Sequence, residues 1–96
     1  MNDRHPTFPA LREFLRGYFH QDCIAEYGSL HGAARRFIQD ADQPQRQAVA
    51  AEWRQFREQS KSLTLERFNQ ALGAMGSGCG VTRMEEIKKI TSVLLG

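Results

Sequence analysis

The chain has 96 residues, 41% of them hydrophobic and 25% charged, a balance that fits one folded domain and excludes disorder over most of its length. Its 13 Lys and Arg against 11 Asp and Glu leave a formal charge of +2, well short of the excess carried by a dedicated nucleic-acid binder. No apolar run approaches the roughly 20 residues of a membrane span, and no basic start with an apolar core and cleavage site opens the chain, so a soluble, cytoplasmic protein is expected.

Residues 1–7 read as a loose polar tail. Phe8-Pro9 then places a proline near the first helical position. Phe8, Leu11, Phe14, Leu15, Tyr18 and Phe19 recur at three- and four-residue spacing and predict a first helix, with Gly17 weakening its last turn. Residues 20–28 show no clear period and read as a structured connection. It closes on Tyr27-Gly28-Ser29, where Gly28 can turn and Ser29 can cap the next helix. That second helix carries Leu30, Ala33, Ala34, Phe37, Ile38 and Ala41 on one face.

Asp42-Gln43-Pro44-Gln45 offers a cap, an early proline and a reciprocal Gln, and so starts a third helix that runs to about Ser60. Its Val49, Trp53 and Phe56, like Phe37 before them, sit at core spacing. Thr64, between Leu63 and Phe68, has the arrangement of a capped and stapled helix entry, and this fourth helix ends by Gly76. Gly76 to Gly80 reads as a flexible break, followed by a Thr82-to-Glu85 capping box. The fifth helix bears Met84, Ile87, Ile90, Val93, Leu94 and Leu95. No segment alternates in the manner of a strand. The expected fold is all-α, a compact bundle or orthogonal array of about five helices in a single domain over residues 1–96.

Few residues are placed to carry chemistry. His20 and Cys23 make one His-x-x-Cys pair, and neither His31 nor Cys79 supplies the second close pair of a zinc site, so no metal is expected. Cys23 and Cys79 read as small half-buried thiols, with a disulfide unfavoured in the cytosol. The Gly76–Gly80 cluster lacks the Gly-Lys-Ser/Thr ending and preceding strand of a phosphate loop. Spacing establishes no nucleophile, base and oxyanion site, so neither enzyme activity nor a cofactor is expected. Arg35, Arg36, Arg54 and Arg57 are candidates for a phosphate-binding patch or for scattered solvated charge. Asp22, Glu26, Asp40 and Asp42, against only Arg35 and Arg36, make residues 20–42 locally acidic.

Phe8-Pro9-Ala10-Leu11, then Gly17-Tyr18-Phe19-His20-Gln21-Asp22, Tyr27-Gly28-Ser29 and the Ala34-to-Phe37 helix together resemble bacterial contact-dependent growth inhibition immunity proteins. The resemblance is strongest over residues 8–42. It implies a small helical protein that binds the C-terminal toxin domain of a cognate exoprotein and prevents self-intoxication, many such toxins being nucleases that act on transfer RNA or DNA. An inhibitor of this kind requires no catalytic residue when its dissociation is slow. Asp22, Glu26, Asp40 and Asp42 are then expected to face a basic toxin cleft, with Tyr27 as an aromatic anchor. Gly17, Tyr18, Phe19, His20, Gln21 and Asp22 are expected to serve either the connection between helices or the interface. No membrane and no direct nucleic-acid partner is expected. The alternative is a small helical nucleic-acid-binding regulator that uses the four arginines.

Overall fold

The computed structural model describes residues 7–96. Residues 1–6 of the expected tail lie outside the described residues, and Thr7 is exposed. The described residues form six α-helices and no strand: α1 (Pro9–Tyr18), α2 (Cys23–Tyr27), α3 (Leu30–Asp40), α4 (Gln43–Ser60), α5 (Leu65–Ala74) and α6 (Met84–Leu95). The all-α expectation holds. The described residues hold six helices where about five were expected, because α2 lies where the sequence reads as a connection. A five-residue helix is too short to display a 3.6-residue period. Only Cys23 of α2 is buried, and Ile24 is 51% exposed. The helix stops at Gly28, whose φ of 85° suits glycine.

Three of the expected caps form. Ser29 Oγ accepts from the Gly32 N–H at 2.8 Å, and Thr64 Oγ1 from the Arg67 N–H at 3.2 Å. Asp42 and Gln45 exchange bonds at 2.9 and 3.2 Å. The Thr82–Glu85 box does not form. The cap of α6 is Arg83, which makes no side-chain capping bond. That one-residue shift leaves Thr82 outside the helix and Glu85 a position too early to reach back. At α1 the cap is Phe8, held in the left-handed region at φ 53° and without a side-chain capping bond. Glu52 substitutes from α4, its Oε1 accepting from the Leu11 N–H at 2.8 Å.

Helix α3 packs against α6, α2 and α1, while α4 packs against α1 and α6. Trp53 at the centre is fully buried, and its Nε1–H donates to Thr91 Oγ1 at 2.8 Å. Thr91 in turn donates to the Ile87 carbonyl at 2.7 Å, which ties α4 to α6 through a satisfied polar contact. Phe68 brings in α5, edge-on to Trp53 at 6.2 Å and tilted against Phe56 at 5.3 Å. Phe37, Val49 and Phe56 are buried as their spacing predicts. Met84, expected on the apolar face of the last helix, is 46% exposed, and burial in α6 begins only at Ile87. No described helix is long and apolar enough to cross a membrane.

Candidate functional site

The Gly17–Asp22 segment is where α1 ends, and its backbone is a dock for the loop that precedes α6. The Phe19 carbonyl accepts from the N–H groups of Gly78 at 2.6 Å and Cys79 at 3.2 Å. The Cys79 thiol donates to the His20 carbonyl at 3.0 Å. A Cβ on Gly78 would stand 2.7 Å from the Gln21 nitrogen, so the close approach depends on glycine. On the loop's far side, the Asn69 side-chain amide pairs with both backbone groups of Val81 at 2.8 Å. The expected flexible break at Gly76–Gly80 is therefore a pinned loop.

The cysteines also meet here. Cys23 Sγ donates to Cys79 Sγ at 3.1 Å, and both are free thiols. Cys79 is half-buried as expected, but Cys23 is wholly buried. Burial, reinforced by the bond to Cys79, pushes the Cys23 thiol up to about 12, so it is a poor nucleophile at neutral pH. Among the described residues no group of three or more His, Cys, Asp or Glu side chains is placed to hold a metal.

The side chains of the same segment build a surface. Tyr18 is half-buried and donates its hydroxyl proton to Asp40 Oδ2 at 2.9 Å. Its ring stacks between Phe14 at 5.8 Å and Tyr27 at 5.9 Å. His20 Nδ1 accepts from the Asp22 N–H at 3.2 Å, which leaves the Nε2–H to reach Glu26 Oε1 at 3.1 Å. His20 thus orients the connection between α1 and α2 and also supports Glu26. Arg36 Nε lies 3.1 Å from Asp40 Oδ1. Burial first, then the bond to Asp40, pushes the Tyr18 hydroxyl up to about 12. Bonds from Tyr18 and then Arg36 hold the Asp40 carboxyl below its ordinary value.

Of the expected contact residues, Glu26, Tyr27 and Asp40 are thereby joined in one strip with Tyr18. Asp22 is exposed at the head of α2, and its side chain does not cap that helix. The Asp42 carboxylate is engaged at the start of α4. Gly17 and Gln21 are exposed, and Phe19 is fully buried. The strip is not purely acidic, for Arg35 and Arg36 share a shallow groove with Glu26 and Tyr27.

A second, larger groove of about 470 Å³ opens between α1, α3 and the start of α4. Phe14, Tyr18 and Phe37 form its aromatic wall, Ala48 and Val49 lie on the α4 side, and Glu13 and Asp40 contribute carboxylates. No Lys, Arg or His is among the described lining residues. The sequence gives no sign of this groove, because Glu13 falls on the solvent side of the helical period and the three helices meet only in space.

Comparison with curated proteins and with solved structures gives no match. The model of a family described as CdiI immunity protein matches residues 7–80, a span that takes in the Gly17–Asp22 segment, both grooves' aromatic side chains and the loop pinned at Gly78. The chain belongs to the CdiI immunity protein family.

Proposed function

We propose that this chain neutralises the C-terminal toxin domain of its cognate contact-dependent growth inhibition exoprotein by binding it stoichiometrically in the cytoplasm, and that the toxin is a nuclease. The family match over residues 7–80 carries the reading. Toxin neutralisation by an immunity protein requires a rigid, complementary surface and no turnover, and the protein acts here as a binder and not as an enzyme. The surface we assign to the toxin is the Tyr18–Tyr27–Glu26–Asp40 strip together with Asp22 and Asp42. Carboxylates beside a stacked aromatic pair suit the basic, phosphate-holding cleft of a nuclease.

The alternative regulator reading requires Arg35, Arg36, Arg54 and Arg57 to act together on phosphates. Arg36 is instead paired with Asp40, and the Arg57 guanidinium lies 5.5 Å from the Phe68 ring centre, so two of the four are directed to protein partners.

The test is co-production of the chain with its cognate toxin domain. Growth should be rescued, and the two proteins should co-purify at equal stoichiometry. A toxin that kills at the same rate with and without the chain overturns the proposal. Binding of the isolated chain to RNA or DNA that weakens steeply with salt would favour the regulator.

A further inference from the structure

Resting on that reading, we propose that the groove between α1, α3 and the start of α4 is the seat of one lysine or arginine side chain projecting from the toxin domain. Three features select this occupant. Half-buried Tyr18, with Ala10, Ala41 and Ala48 beside it, offers apolar surface that accepts the aliphatic stem of a long basic side chain. Glu13 and Asp40 stand at the same groove, two carboxylates against the single Arg36 guanidinium on Asp40 and no Lys, Arg or His among the described lining residues, although the chain as a whole carries a charge of +2. The groove at α6 that holds Glu85 and Glu86 is, by contrast, shared with Arg83 and Lys89. The Asp40 carboxylate is also held in place by Tyr18 and Arg36, so it is oriented before the partner arrives and loses little freedom on binding. The volume of about 470 Å³ is ample for one long side chain. A purely apolar occupant would cover the Glu13 carboxylate without supplying it a counter-charge, at a cost in desolvation.

The experiment is titration calorimetry of the full chain against its cognate toxin domain, for the wild type and for three variants. The paired change Glu13→Gln with Asp40→Asn keeps shape and the acceptor for Tyr18 while removing both charges. It should weaken binding about tenfold or more and flatten its salt dependence. Ala48→Trp fills the groove and should abolish binding, and Glu85→Gln, on the α6 groove, should leave it unchanged. Changing the toxin's lysines and arginines one at a time to methionine should find a single position whose loss is coupled to the paired variant by about fivefold or more. Melting curves check that each variant is folded, and if Ala48→Trp is not, the isosteric pair decides. Wild-type binding with no effect of the pair and no coupled position overturns the groove assignment alone. No binding by the wild type overturns the toxin reading as well. A change in oligomeric state by light scattering, without a change in toxin affinity, would assign the groove to a second copy of this chain and equally overturn the proposal.

Discussion

Glu52, in the middle of α4, accepts a hydrogen bond from the Leu11 backbone N–H at 2.8 Å and so serves as the N-cap that α1 lacks in its own sequence. The two residues are 41 positions apart, and the bond fixes α1 against α4 at the edge of the groove. Phe8, the local cap position, is buried and edge-on to Phe56 at 6.1 Å. It trades capping capacity for packing in a left-handed backbone conformation that aromatic residues seldom adopt.

Glu52→Ala should therefore lower stability by about 1–2 kcal/mol, the usual loss for a missing helix cap. Glu52→Gln, which keeps an oxygen acceptor, should recover most of it. Urea unfolding of the two variants checks this, and equal losses would show that charge and not the acceptor matters.

Asp42 allows structure and interface to be separated. Its carboxylate caps α4, so Asp42→Ala should cost about 1 kcal/mol of stability. Asp42→Asn supplies an equally good cap without charge. If Asp42 also faces the toxin, the Asn variant should keep its melting temperature yet associate more slowly with the toxin domain at low salt. An unchanged association rate would confine Asp42 to capping.

How much of this was legible in the sequence depends on the range of the interaction. The caps at Ser29, Asp42 and Thr64 and the buried stripe of Val49, Trp53 and Phe56 are encoded within a few residues and could be read directly. Helix α2 could not, because five residues carry no period. The Tyr18–Asp40 bond, the cap from Glu52 and the contact of Cys23 with Cys79 join positions 22, 41 and 56 residues apart, and no local pattern marks them. The acidic composition of residues 20–42 was visible, but its division between the Glu26–Tyr27 strip and the Asp40 side of the groove, and the addition of Glu13 from α1, follow only from packing.

The Tyr18–Asp40 bond gives stability a pH signature at both ends. The Tyr18 hydroxyl is raised from 10.0 to about 12 on folding, so its contribution is complete below pH 10 and is lost as pH rises toward 12. The Asp40 carboxyl is lowered from 3.8. Its contribution is present above that value and lost as pH falls through the folded-state value. Tyr18→Phe should shrink both slopes in pH-dependent unfolding. Because Cys23 also titrates upward, from 9.0 to about 12, the difference between wild type and variant is the informative quantity on the alkaline side.

The thiol pair should react in order. Cys79 is half-buried, whereas Cys23 has no exposed surface and a thiol raised to about 12 by that burial. A thiol-specific reagent at neutral pH should modify one cysteine of the folded protein quickly and the second only as fast as the protein opens. Mass spectrometry of the early product should place the label on Cys79. Simultaneous labelling of both would mean that α2 lifts from the core readily.

Two glycines that look alike in the sequence should respond oppositely to substitution by alanine. At Gly17 a Cβ would meet nothing within 4 Å, and the residue lies inside α1. Gly17→Ala should stabilise the protein by about 0.5–1 kcal/mol, the gain in helix propensity. At Gly78 a Cβ would press on the Gln21 backbone nitrogen at 2.7 Å and the His20 carbonyl carbon at 3.1 Å. Gly78→Ala should force the loop off its dock on the Phe19 carbonyl and destabilise by about 1–3 kcal/mol, the range for overpacking a tight site. Since no contact among the described residues requires glycine at position 17, a Gly17→Ala variant that is more stable but binds the toxin domain more weakly would show that the partner comes within van der Waals reach of α1 at that point. Stabilisation with unaltered affinity would place this turn of the helix outside the interface.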